Sequence, residues 1–431
     1  MRAIIYLLLL LIASSGVSRP LLFQASTCGS VDVQAAINAA SPGATVTVPA
    51  GSCNWTNPSS NTPAVNITKA ITLQGAGVGV TIITDTTGTG SGEVPLDTSA
   101  DNYRVTGFTF KTSEGANFFS GYVIGHAGYR VDHCEFTNTS GANRHTIEVQ
   151  GYGVIDSNIF NDRAEIAVWG IDSSGIGSDA NVAGWNTASS IGGANNTFVE
   201  NNTFTWGSAF GDGIVDGYNG ARIVVRYNDI VNTQWGVHGL DSGDWLRSTF
   251  SWEFYNNTFV NNNAVIFQVF NARGGSGVVH HNTVSAAGGS YNGFAGLQSF
   301  RSDDSYMASP WGNCNGSSQY DQNTSGQQGY ACRDQIGRST NQALDPVYEW
   351  SNTFKGGDGD LFPDCVSRCT TYHIIENREF YNDTVRPGYT IYACPHPLTG
   401  YTGTCNDTAG AAGYNVAGGV SPTGSRTRMR R

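Results

Sequence analysis

The chain has 431 residues, a formal net charge of -11 and 55 glycines. Its only lysines are Lys69, Lys111 and Lys355, and so acidic and lysine-poor a surface argues against nucleic acid or an anionic membrane as partner. Roughly 400 residues would ordinarily fill two or three domains, unless the chain is an elongated repeat in which each unit adds its own slice of core.

In chain order, Met1-Arg2, an apolar run from Ile4 to Ala13 and the small residues Ser14 to Ser18 describe a secretory signal peptide over 1–18, cut between 15 and 25. The run is too short to span a bilayer, and no later stretch reaches spanning length. The mature protein is therefore expected to be secreted or at the cell surface. Next, VDVQAAINAA (31–40) predicts a short helix with Val33, Ile37 and Ala40 on one face, stopped by Ser41-Pro42-Gly43 before a strand over 44–48.

Nine cysteines fit an oxidising compartment. Proximity suggests the pairs Cys28 with Cys53, Cys314 with Cys332, Cys365 with Cys369, and Cys394 with Cys405. Cys134 is left over inside an apolar strand.

A frame recurs through the rest of the chain: a polar residue, usually Asn, two positions before a large apolar one. It is seen in VDHCEFTNT (131–139), VIDSNIFND (154–162), FVENNTFTW (198–206), VVRYNDIVN (224–232), FYNNTFVNN (254–262), VVHHNTVSA (278–286), EWSNTFKGG (349–357) and IENREFYND (375–383). With Phe136, Phe160, Phe204, Ile230, Phe259, Val284, Phe354 and Phe380 as anchors, a unit of about 22 to 26 residues accounts for the spacing, once doubled and once interrupted by a long loop at about 286–346. Each unit reads as short strands with Gly and Asn at the corners. Strands repeating at that period describe a solenoid in which equivalent residues stack in columns about 4.8 Å apart. The anchors would fill the interior, asparagines such as Asn257 would bond up the stack at a corner, and the 31–40 helix would cap the open end.

VQAAINAASPGATVTVPAGSCNW (33–55) resembles the capping helix and first strand, and AITLQGAGVGVTII (70–83) the second turn, of the right-handed parallel β-helix superfamily of the pectate lyase type, the pectin lyase-like fold. The resemblance implies an all-β chain. The expected fold is a single-stranded right-handed parallel β-helix with a short N-terminal capping helix, spanning 26–400, followed by a C-terminal segment, 401–431, expected to end in a disordered basic tail. It does not imply a reaction, because that superfamily includes lyases, glycoside hydrolases, esterases, epimerases, adhesins and phage tailspikes.

Polar residues in one frame on neighbouring turns must face one another, which points to GIVDGYNG (213–220), WGVHGLDS (235–242) and FQVFNARG (267–274). Asp216 and His238 each precede a glycine 22 residues apart, one unit, and so are candidate stacked neighbours. Asp212 precedes the first of them. The loop after His238 adds Asp241, Asp244, Trp245 and Arg247, and Arg273 follows one turn later. Carboxylates, an imidazole, guanidinium groups and an aromatic face are the set that binds and cleaves a sugar chain.

Asp216, His238, Asp241 and Asp212 are the catalytic candidates, and Arg247, Arg273 and Trp245 the substrate-binding ones. Hydrolysis would use two of the aspartates with His238 as relay. GDGIVDG followed by VHG resembles the catalytic region of the polygalacturonase family, but this stretch lacks that family's Asp-Asp doublet, and the chain has no Arg-x-Lys. β-Elimination would use His238 as base, with Asp244, Asp216 and Asp241 sharing a calcium ion, the one cofactor either route calls on. Arg144-His145, Glu165 and Asp172 are weaker candidates for the site, read in preference as corner residues, and His280-His281 is read as structural.

Two functions of different class stay open: a secreted polysaccharide lyase or hydrolase, and a non-catalytic adhesin or structural surface protein. Either way the expected partner is a polysaccharide, with no nucleic acid, no membrane span and a monomeric chain.

Overall fold

The structure is a computed structural model that describes residues 22–59, 62–87, 95–112, 119–121, 127–138, 144–162, 164–170, 188–207, 213–237, 247–263, 265–298, 334–340, 343–364, 374–401, 403–405 and 415–416. The expected signal peptide and the basic tail lie outside them. No helix among the described residues is long and apolar enough to cross a membrane.

The chain is nearly all β. Strands Thr45–Thr47, Gly51–Trp55 and Val65–Ile67 enter three different sheets, and Thr72–Gln74, Thr81–Asp85 and Leu96–Thr98 then pair alongside them in the same order. This cycle builds a twelve-stranded first sheet, an eleven-stranded second sheet and a six-stranded third sheet, beside which a four-stranded sheet continues. Pairing between successive turns is parallel; the antiparallel strand pairs among the described residues are Thr353–Phe354 with Gly357–Asp358, which closes the second sheet, and Gly403–Thr404 with Asn415–Val416 in a separate two-stranded sheet. The order fits a parallel β-helix. The helix Ser30–Ala39 buries Val33, Ala36 and Ile37 at the first turns, and Lys69 Nζ donates to the carbonyls of Asn38 and Ala40 at its C-terminal end, each at 2.8 Å.

The core is a set of columns. Leu73, Val105, Val131, Ile155, Val199, Val225, Phe254 and Val279 are paired in register along the first sheet, all buried. Along the second sheet Phe110, Phe136, Phe160, Phe204, Ile230, Phe259, Val284 and Phe354 do the same. The first four rings stack at 5.3, 5.1 and 4.6 Å, each burial contributing about 1.5–3 kcal/mol. Phe160 pairs directly with Phe204, so the long spacing there is one turn with an excursion and not a doubled unit. Phe380 is not in this column: it pairs with Val347 in the first sheet, because the second sheet ends at Gly357–Asp358.

The recurrent asparagine sits at the corner between the first and second sheets. Asn158, Asn202, Asn228, Asn257, Asn282 and Asn352 form a buried ladder in which each Nδ2 donates to the next Oδ1 at 2.9–3.1 Å. Each backbone N–H donates to the same oxygen, which turns the corner without leaving an orphaned amide. The preceding residues, Ser157, Asn201, Tyr227, Asn256, His281 and Ser351, all have φ between 54° and 57°. This left-handed residue swings the amide inward. Cys134 holds the equivalent place one turn earlier: His133 before it has φ 50°, and its N–H donates to Asn158 Oδ1 at 2.9 Å. It is free and buried.

Disulfides join Cys28 to Cys53 and Cys394 to Cys405, the first and last of the four suggested pairs, as befits an oxidising compartment. The other two fall outside the described residues. Within the expected 286–346 loop, Ser290–Gln298 is a strand and Ile336 is core. The interruption proper therefore starts after residue 298.

Residues 389–401 return across the outer face of the first sheet. Val154, Phe198, Val224, Tyr227 and Tyr255 pack against Ile391, Tyr392, Cys394 and Cys405. Arg130 Nη1 donates to Thr399 O at 2.7 Å, and Arg226 to the carbonyls of Tyr392 and Ala393 at 2.8 and 2.9 Å. Gly192 faces this strap with φ 76°, and a Cβ there would lie 2.5 Å from Thr390 O. His280 lies flat between Tyr255 and Trp350, ring centroids 4.6 and 4.3 Å away, inside the same packing.

Candidate functional site

The third sheet places the densest chemistry. Ile147 and Val149 of strand Arg144–Gln150, and Ile166 and Val168 of Ala164–Trp169, enter the core. Alternation along a strand then sends Glu148, Ala167 and Trp169 to the outer face. Asp216 and Tyr218, on Val215–Tyr218, pair with Ala167 and Trp169 and share that face. Gly217 between them faces inward, where a Cβ would lie 2.6 Å from Thr249 Oγ1.

His145 reaches the same point because the register shifts between His145 and Ile147. Its Nδ1 lies 3.1 Å from Glu148 Oε1, and its Nε2 lies 3.3 Å from Tyr218 Oη and 3.9 Å from Asp216 Oδ2. The Tyr218 hydroxyl donates a short hydrogen bond to Asp216 Oδ2, and its ring stacks on Trp169 at 4.7 Å. Glu165 pairs with His145 across the strands. One ligand-capable atom from each of His145, Glu165 and Asp216 lies within 4.8 Å of the others.

Burial pulls the His145 pKa down, but the hydrogen bond to Glu148 and the negative charges of Glu165, Glu148 and Asp216 outweigh it and lift the pKa to about 9. At neutral pH the ring is an imidazolium: Nδ1–H donates to Glu148 and Nε2–H points at Tyr218. A raised folded-state pKa gives stability that is complete below the unfolded value of 6.5 and is lost as pH rises through about 9. The urea midpoint of the wild type should therefore fall towards that of His145→Gln across this window. A constant gap from pH 6 to 10 would show that the charged pair is absent.

Calcium prefers six to eight oxygens. The described cluster brings one atom each of Glu165, Asp216 and His145 together, a set with fewer oxygens than calcium usually takes.

Of the residues expected at the site, Asp216 is in this cluster, 1% exposed. Asp212, His238, Asp241, Asp244 and Trp245 lie outside the described residues. Arg247 is buried, and its Nε and Nη2 donate to the Asp334 carboxylate at 2.7 and 3.0 Å, so its guanidinium is held inside the protein rather than presented to solvent. Arg273 is half-buried just after strand Val265–Ala272.

His145 and Glu165 are not corner residues, since both lie on strands of the third sheet. Tyr218, Trp169 and Glu148 were not singled out. Aligning RHTIEVQ, AEIAVW and VDGY as three turns of one column would have found them.

The outer face continues past Val215–Tyr218 onto the four-stranded sheet, where Ile214 N donates to Gln234 O at 3.0 Å. There Gln298 and Gln268 both donate to Asp364 Oδ2, at 2.7 and 2.5 Å, and Asn271 Nδ2 donates to Gln268 Oε1 at 2.7 Å. This gives a polar stripe across both sheets.

No protein-family model and no curated protein matches the sequence. Among solved structures, the chain is similar to an alginate lyase from Paenibacillus sp. str. FPU-7, with 16% identity over 64% of this chain and 97% of that one and a TM-score of 0.34. It is also similar to ORF18 of Geobacillus virus E2, with 14% identity over 64% and 59% and a TM-score of 0.35. A third match is the A-module of the mannuronan C-5 epimerase AlgE6 of Azotobacter vinelandii, with 12% identity over 62% and 93% and a TM-score of 0.29.

Proposed function

We propose that the protein is a secreted carbohydrate-active β-helix protein that cleaves an acidic polysaccharide by β-elimination at the His145, Asp216 and Tyr218 cluster. The observation that carries this reading is the Tyr218 hydroxyl, held between the Asp216 carboxylate and the His145 imidazole. A phenol so placed is a proton relay. Asp216 accepts the phenolic proton, and the tyrosinate, facing His145, takes the proton α to the uronate carboxylate. The C–O bond at the neighbouring carbon breaks as the ring double bond forms, and the leaving oxygen is protonated from the Tyr218–Asp216 pair. The His145 imidazolium supplies positive charge for the developing carbanion.

Inverting hydrolysis needs carboxyl groups roughly 6.5–9.5 Å apart. Glu165 and Asp216 offer a pair of oxygens within 4.8 Å of one another, which favours a shorter separation than that geometry uses. The fold that goes with this reading is a right-handed helix, since crossovers between parallel strands of one sheet are right-handed in about 98% of cases.

A non-catalytic surface protein is the second reading. What favours it is burial: Asp216 is 1% exposed and Tyr218 5%.

The test is incubation of the purified protein with alginate, polygalacturonate and neutral glucans, with and without EDTA. Absorbance of unsaturated sugar ends and the formation of reducing ends are followed together. Unsaturated ends from a uronate polymer, unaffected by EDTA, are expected. Reducing ends without unsaturation would replace elimination by hydrolysis, and no product from any polymer would favour the non-catalytic protein.

A further inference from the structure

The three outer faces of the stack differ. The strap of 389–401 covers the first, and the cluster of His145 and Asp216 lies on the third. The second sheet carries an open cleft of about 480 Å³ over its outer face.

The cleft floor is one column of side chains. Thr84, Lys111, Thr137, Asn161 and Thr205 pair in register on five successive turns, and the same column then becomes Val231 and Val260. The cleft is lined by Lys111 through Thr205 and ends where the column turns apolar. β-Propensity would favour valine or threonine throughout the column. It does not explain the lysine, which no other paired position of this column carries.

The neighbouring column adds Glu135, whose Oε2 accepts from Thr109 Oγ1 at 3.0 Å and whose Oε1 accepts from Asn161 Nδ2 at 3.1 Å. These bonds fix the carboxylate in place with lone pairs to spare. Asp162 stands at the far wall in the left-handed conformation, φ 52°.

Lys111 is the distinctive group. Lys69 is spent on the carbonyls that end the helix, and Lys355 on the carbonyl of Tyr291. Among the described residues no hydrogen bond or ion pair engages the Lys111 ammonium. The cleft therefore offers a donor in Lys111, a fixed acceptor in Glu135, a second acceptor in Asp162, and threonine hydroxyls that can do either. A chain of sugar hydroxyls, each donor and acceptor at once, matches that mixture. An anionic polymer does not, because two carboxylates face it against one ammonium. Successive turns spaced by about 4.8 Å present the set as a ruled track along the stack.

We propose that this cleft is a binding site for an uncharged polysaccharide chain laid along the stack axis, separate from the His145 and Asp216 cluster and independent of what that cluster does.

The experiment is isothermal titration calorimetry of the full chain with cellohexaose and xylohexaose, and with hexagalacturonate as the acidic comparison. One or both uncharged hexasaccharides should bind. Their affinity should fall about tenfold or more in Lys111→Met, which removes the donor, and in Thr205→Arg, which fills the cleft from an exposed position. Both variants should melt at the wild-type temperature, and Tyr218→Phe should bind as the wild type does. The proposal is overturned if neither uncharged sugar binds, if their binding survives both substitutions, or if hexagalacturonate is the ligand that both substitutions weaken.

Discussion

Tyr218→Phe is expected to lower the rate of uronate-polymer cleavage by about 10²–10⁴-fold, the usual range for losing a positioned proton-transfer group, with the fold unchanged. The ring keeps its stacking on Trp169 at 4.7 Å, so only the hydroxyl is lost. That oxygen touches both Asp216 Oδ2 and His145 Nε2, and without it the relay has no atom at its tip. The loss should fall on kcat, since the proton moves in the transition state and not in the bound ground state. Turnover by initial rates and melting by circular dichroism check this together. Wild-type turnover in the variant would remove Tyr218 from the chemistry, and a lowered melting temperature would make its role structural.

Arg226→Ala is expected to cost about 3–5 kcal/mol, the range for stranding one partner of a buried ion pair. Arg226 and Glu200 both have 0% side-chain exposure and meet at 2.6 Å. The guanidinium also donates to Tyr255 Oη at 2.9 Å and to two strap carbonyls, and lies 4.8 Å over the Phe198 ring. Glu200 Oε1 accepts from His396 N at 2.9 Å. One substitution thus uncovers a carboxylate inside the protein and releases the strap from the first sheet. Urea unfolding should show the loss, and limited proteolysis should cut near residues 389–401 in the variant before the wild type. The double variant Arg226→Met with Glu200→Gln should recover part of the stability, because no charge is then left buried alone. A loss under about 1 kcal/mol for Arg226→Ala would contradict this account.

The stack was legible because its second-sheet corner keeps strict spacing. A left-handed residue, an asparagine and an anchor two positions on must recur together for the amides to meet. Phe136 to Phe354 could therefore be aligned by eye, and Phe380 misled because it repeats the local pattern in another sheet. The site was legible only at Asp216, flagged by the glycine after it. Its partners follow a corner of variable length: the chain reaches the third sheet from Asn138 to Arg144, from Asn161 to Ala164, and from Thr205 to Val215. Counting from the anchors therefore puts His145, Glu165 and Asp216 in different frames although they touch. Tyr218 and His145 are 73 residues apart, a separation that no local pattern encodes. Arg247 misled for the opposite reason, since a guanidinium in a polar loop reads the same whether it meets a substrate or Asp334.

The asparagine ladder is a vector. Every amide in it points its N–H towards the later turn, so the dipoles add, and bonds in such a chain polarise one another. Its first oxygen, on Asn158, takes the N–H of Cys134. Its last amide, on Asn352, donates to the Glu349 carboxylate at 2.6 Å, a negative group at the positive end. Burial pushes the Glu349 pKa up to about 7, and the bond from Asn352 opposes that rise. An interior rung can be duplicated or deleted without changing the ladder's sense, but neither terminus can be replaced by an interior rung. The ladder's sense is thus set by its two ends and not by the number of rungs between them.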